Sequence, residues 1–232
     1  MDYQRHKSGN QGGDDIIKQI SDNISLLTDI VVKVITNPIG FFREMPKTGG
    51  FLFPIIFMAA MGIIGSIMRT LLSRIGLYPS MGNDISAASI MLVPVFVTIL
   101  GFISAAILFL IWNFMGSRES YETSFRCIAY AGAIVPITSL LHIIPYAGGL
   151  FGLVWTIYLM IVASTEVHNI APQKAWIIFG VLCALLAFMS VTAEFAGRKM
   201  IEQTQGFQKM TSEEDGSVIG DFMKEFEKSQ RR

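Results

Sequence analysis

Ser139 and His142 lie three residues apart in an apolar run, a spacing that puts a hydroxyl and an imidazole on one face of a helix. A nucleophile and its base would use such a pair. Acyl transfer also needs oxyanion donors from a separate element, and no motif in the chain supplies them. The simpler expectation for His142 is a neutral imidazole beside a turn, hydrogen-bonded to a backbone carbonyl or to Tyr146. Glu166 and His168 suggest metal ligands, but alternate residues do not share a helix face and zinc takes at least three protein ligands, so no metal and no cofactor is expected. Arg126 and Glu166 are the charges bounding the longest ion-free stretch, and they predict an ion pair across the mouth of a hairpin. Asn113, with Thr98 and Ser104, marks a mildly polar line that, with His142, would border a solute path in a small channel or transporter. Pro54, Pro94 and Pro136 would be its hinges, and Tyr130 lies close by Pro136.

The elements that must position these groups follow from hydropathy. Between Arg126 and Glu166 no residue is fully charged at neutral pH, and that run is about twice what one helix needs to cross roughly 30 Å of hydrocarbon. It therefore predicts two membrane helices. The break falls at Pro145-Tyr146-Ala147-Gly148-Gly149, where proline removes an amide donor and the paired glycines permit positive φ.

Composition agrees. Of the 232 residues, 52% are apolar and 16% are charged, against about 25% charged in soluble domains. Net charge is zero, and no phosphate loop, dinucleotide fingerprint or basic patch is present, so nucleic acid is not an expected partner. Cys127 and Cys183 match neither a redox nor a zinc spacing and are expected to be small buried hydrophobes.

The fold class expected is all-α, a polytopic membrane helical bundle with five transmembrane helices and an N-terminal amphipathic helix. Residues 1–13 are polar and glycine-rich, with no apolar core for a signal peptide, and are expected to be disordered. In 14–47, Ile16, Ile20, Leu27, Val31 and Val34 recur at helical spacing among Asp15, Lys18, Asp22, Asp29 and Lys33. That face could lie on the bilayer, pack on the bundle or bind a partner helix. Asn37-Pro38 predicts an N-cap and first turn for a short in-plane helix through Met45, with Phe41 and Phe42 as a wedge and Arg43 and Lys47 reaching phosphates. The membrane domain, 48–197, has spans at about 50–68, 90–114, 127–144, 150–164 and 175–193. Gly62 and Gly65 favour close helix contact in the first. Residues 198–232 form a polar tail ending in a short amphipathic helix with Val218, Phe222 and Phe226. Five crossings put the termini on opposite sides. Basic residues near the spans are balanced six to five, but the basic-free hairpin turn favours a cytoplasmic N-terminus.

The hairpin also resembles a known family. Tyr121 and Arg126 at its entry, Ala129-Tyr130 with Pro136 six residues on, Pro145, Gly148 and Gly149, Trp155, and His168 just outside the span are together similar to the Yip1 domain family. Asn37-Pro38 with Phe41-Phe42 resembles the entry of many prokaryotic members, and the likeness runs over about residues 30–193. The Asp-Leu-Tyr-Gly-Pro stretch of eukaryotic Golgi members is absent and Ala129 stands where their glycine would be, so Rab binding and Golgi trafficking are not carried over. The resemblance implies five spans, a cytoplasmic N-terminus and no catalytic centre. The function expected is a membrane-organising scaffold in a bacterial or archaeal cell membrane. Its partners would be the bilayer, a protein on the N-terminal helix and a second copy of the chain.

Overall fold

The computed structural model describes the backbone at residue 18, at 21–22, and over 24–77, 87–144 and 146–230; within these, side chains are described to 200 and at 203, except for 87–91. Among the described residues every regular element is a helix. Ile16, Ile20, Pro145 and residues 78–86 lie outside them.

The entry module comprises α1, helical over 24–36, and α2, Pro38–Glu44. Asn37 accepts a hydrogen bond from the Gly40 amide at 3.1 Å through its side chain, and Pro38 opens α2 where an amide donor would have no partner anyway. Leu27, Ile30, Val31 and Val34 face the bundle, with Val34 fully buried. Of the three placements open to this face, the described part of the helix takes the second, packing on its own chain. Phe42 is buried too, and Phe41 sits edge-on to Phe42 and to Tyr130 at ring distances of 5.4 and 5.3 Å. The expected lipid wedge is instead part of the protein core.

Among the described residues, five helices are long and apolar enough to cross a membrane: Leu52–Arg74 (α3), Leu92–Met115 within α4 (Ala87–Met115), Tyr121–Leu141, Ala147–Glu166 (α7) and Pro172–Met200 within α8 (Pro172–Gln230). The 23 residues of α3 give roughly 34 Å of helix at 1.5 Å per residue, enough for a crossing. Pro54 falls in its first turn and removes no helix hydrogen bond. Pro94 lies inside α4, where Thr98 Oγ1 donates to the Pro94 carbonyl at 2.8 Å.

The third span begins at Tyr121, six residues before the expected start, because Ser120 caps it by accepting from the Thr123 amide. It is not one continuous α-helix. It runs as α5 (Tyr121–Ala131), a 3₁₀ turn at Gly132–Ile134, and α6 (Val135–Leu141), with Pro136 in the first turn of α6. Proline cannot continue the helical ladder, and the tighter turn absorbs the break.

The hairpin turn differs from expectation in mechanism. The positive φ, 63°, belongs to Tyr146, while Gly148 lies inside α7. A Cβ on Gly148 would stand 2.5 Å from the backbone of Leu141 and His142, so this glycine serves close approach and not turn geometry. Gly65 does the same between α3 and α6, where a Cβ would meet Val135 Cγ1 at 2.6 Å. Gly62 faces Val97 of α4 at ordinary contact distance.

The core lies among α2, α3, α4, α5 and α7 around Phe57, Trp112, Tyr130 and Leu159, with a second cluster at Met58, Ala105, Phe125 and Ala129. Phe102 stacks on Phe125 at 4.2 Å. The chain divides into two compact units, Met1–Ala187 and Phe188–Arg232. The second is helical through Gln230 and carries an Arg198–Glu194 pair at 2.7 Å. The expected polar tail with a short terminal helix is thus one continuous helix; the side chains of Val218, Phe222 and Phe226 lie outside the described residues.

Candidate functional site

Arg43, Lys47, Glu119, Glu122, Arg126 and Glu166 gather at one end of the bundle, where the entry module, the connection after α4 and the connection after α7 meet. Arg126 is buried there on α5. Its Nε donates to Glu122 Oε1 at 3.2 Å, its Nη1 to the Pro46 carbonyl at 3.2 Å and its Nη2 to the Gly50 carbonyl at 2.8 Å. Glu122 Oε1 also accepts from the Gly50 amide at 2.7 Å. One guanidinium fork therefore holds the strand of backbone linking α2 to α3, and the carboxylate one turn earlier orients that fork.

Lys47 is the second fastening. Its Nζ donates to Glu119 Oε1 at 2.7 Å and to the Val167 carbonyl at 3.0 Å, while Thr123 Oγ1 donates to the Lys47 carbonyl at 3.1 Å. The ammonium expected to reach lipid phosphate is spent on the protein's own carbonyl and carboxylate. Arg43 Nε donates to Glu166 Oε2 at 2.9 Å, so the predicted Arg126–Glu166 pair is replaced by Arg43–Glu166 and Arg126–Glu122. The reason is local. Glu122 is an i, i+4 neighbour of Arg126 on the same helix, and α2 lies across the end of α7.

Beneath these pairs is a buried polar chain. Trp112 Nε1 donates to Ser164 Oγ at 2.7 Å, and Ser164 Oγ donates in turn to the Met160 carbonyl. Trp112 stacks on His168 at 3.9 Å, and His168 Nδ1 meets Ser117 Oγ at 2.7 Å. Ser117 Oγ accepts from the Glu119 amide as well as pairing with His168 Nδ1, so the hydroxyl ties the imidazole to the backbone after α4. Among the described residues the ring's Nε2 has no partner. Burial, and after it the charge of Lys47, depress His168 to about 3, so the ring is neutral.

The other sequence candidates are not brought together. Ser139 Oγ donates to the Val135 carbonyl and His142 Nδ1 pairs with the Thr138 carbonyl at 2.5 Å, each occupied by its own helix. The backbone bond expected of His142 is present. Asn113 is exposed near the end of α4, at the clamp end, whereas His142 lies at the hairpin turn, one membrane crossing away. They do not line a common path. Glu166 and His168 face different partners, and no group of three metal-ligating side chains occurs among the described residues. Tyr130 is buried edge-on to Phe41 and Phe57.

Sequence reasoning missed Glu119, Glu122, Ser117 and the role of Trp112. The i, i+4 spacing of Glu122 and Arg126 was the available signal; the rest depends on backbone carbonyls, which carry no sequence mark.

No curated protein and no solved structure matches the chain. The family model described as "Yip1 domain" matches residues 32–193, a stretch that begins within α1, contains the whole clamp and ends within α8. With well over half its length matched, this five-span chain belongs to the Yip1 domain family.

Proposed function

We propose that the protein is a non-catalytic scaffold of the cell membrane, organising partner proteins through the outer face of its entry module. The observation that carries this reading is the division of labour at that module. Arg126 and Lys47 turn inward onto the chain's own carbonyls, and the inner face of α1 is packed on the core. The outer face keeps Ile24, Leu26, Val32 and Ile39 exposed. Beside them runs a groove of about 290 Å³ whose lining includes Leu26, Ile30 and Phe41 together with Asp29, Lys33 and Glu44. A partner helix with an apolar stripe flanked by both signs of charge would complement that surface. The module lies on the cytoplasmic side in this reading, and no catalytic step is assigned to any residue.

Leu26→Glu combined with Val32→Glu tests it. Both side chains point away from the core, so membrane insertion persists while the set of co-purifying partners is lost. An unchanged partner set contradicts the proposal.

A further inference from the structure

The carboxylates of the clamp are spent on three cations. Glu119 takes Lys47, Glu122 takes Arg126 and Glu166 takes Arg43. Glu44 lines the groove on the entry module instead. Arg118 and Lys174, both exposed at the same end of the bundle, are left without a carboxylate partner among the described residues.

The two stand together at the end of α4. The start of α8 packs there, with Phe179 against Trp112 at 6.4 Å and Ala175 fully buried. Lys174 Nζ donates to the carbonyl of Met115, the last residue of α4, at 3.3 Å. Arg118 is three residues past Met115, at most about 11 Å of chain. The Ser117 amide, bonded to the Trp112 carbonyl at 2.9 Å, folds that stretch back over the helix end. Gly116 between them takes φ 105°, and a Cβ there would meet nothing within 4 Å, so the space beside the two cations is open. Capping the helix end accounts for one donor of the Lys174 ammonium and for none of the Arg118 guanidinium.

Depth and charge decide what fills that space. Phe114, just before Met115, is 90% exposed, and Trp176, just after Ala175, is 57% exposed. Bare aromatic rings at the ends of two adjacent spans mark the boundary of hydrocarbon and water. Arg118 and Lys174 follow those rings outward, at the level of lipid headgroups, where the abundant anion is phosphate. A zwitterionic headgroup brings its own ammonium, which two cations repel, whereas a net-anionic headgroup brings none. We propose that Arg118 and Lys174 form a headgroup site for a net-anionic glycerophospholipid of the clamp-side leaflet. The guanidinium grips the phosphate oxygens, and the ammonium adds its charge from a position fixed by the Met115 carbonyl. This site does not rest on the scaffold reading.

The test is native mass spectrometry of the detergent-solubilised full chain with phosphatidylglycerol and phosphatidylcholine of identical acyl chains. Wild type should retain phosphatidylglycerol several-fold more than phosphatidylcholine. Arg118→Gln removes a side chain that bonds no protein group, so the protein stays folded and the ratio should fall toward one. Lys33→Gln removes the same charge from α1, outside the site, and should keep the wild-type ratio. Lys174→Arg should keep it as well, and Lys174→Gln should lower it. If Lys174→Gln unfolds through loss of its cap, the Arg118→Gln and Lys33→Gln pair decides. Equal retention of the two lipids by wild type, a preference that survives Arg118→Gln, or an equal fall in Lys33→Gln overturns the proposal. Inorganic phosphate in large excess should leave phosphatidylglycerol bound; complete displacement would assign the cations to a free anion and overturn the lipid assignment.

Discussion

Glu166 Oε2 lies 2.9 Å from Arg43 Nε, so the carboxylate closing the fourth span is taken by the entry module and not by the third span. This contact ties α2 to α7 from outside, where Arg43 is 66% exposed. Exposed pairs lose most of their attraction to water and salt. Arg43→Gln should therefore leave the thermal unfolding of the detergent-solubilised protein nearly unchanged, with any small effect vanishing at high salt.

Arg126 is the opposite case. Removing its fork takes the guanidinium from Glu122, which keeps the Gly50 amide, and from the carbonyls of Pro46 and Gly50. Arg126→Gln should cost about 1–3 kcal/mol. Arg126→Lys should recover little of that, because a point charge cannot serve three directions at once. Thermal unfolding of both variants in one detergent checks the order.

Gly148→Ala should destabilise the hairpin by about 1–3 kcal/mol, because the new methyl meets backbone that cannot give way. Gly180→Ala, with open space around it, should be neutral or slightly stabilising through helix propensity. Comparing the two in the same unfolding assay separates close approach from a general intolerance of glycine replacement.

His168 sets a pH dependence whose sign is fixed by the direction of its shift. The native ring titrates at about 3, below the ordinary histidine value of 6.5, so between these values the unfolded chain binds a proton that the native protein does not. The contribution is present in full above about pH 6.5 and is lost as pH falls toward 3. His168→Asn should be less stable at neutral pH and should show a flatter decline in stability between pH 6.5 and 4 than wild type, measured by unfolding at stepped pH.

The five crossings were legible because ion-free runs of that length leave few alternatives. The fate of Phe41 and Phe42 was not. In a membrane protein, lipid-facing and core-facing positions are equally apolar, so hydropathy cannot say which way a phenylalanine turns. The break at Gly132–Ile134 was half legible: Pro136 announced a weakened span, but nothing in the residues specified a 3₁₀ turn ahead of it. The left-handed conformation fell on Tyr146 beside glycines suited to it, because Gly148 was already committed to contact with Leu141 and His142. The clamp was the least visible feature, since Arg126 reaches carbonyls 76 and 80 residues away and any residue has a carbonyl.

Hydrogen exchange read by mass spectrometry over 38–50, in wild type and Arg126→Gln reconstituted in lipid nanodiscs, tests most directly whether the charged cluster is a clamp. Loss of protection across 38–50 in the variant, with α3 and α7 unchanged, is the predicted result. Equal exchange of that segment in the two proteins would contradict the account.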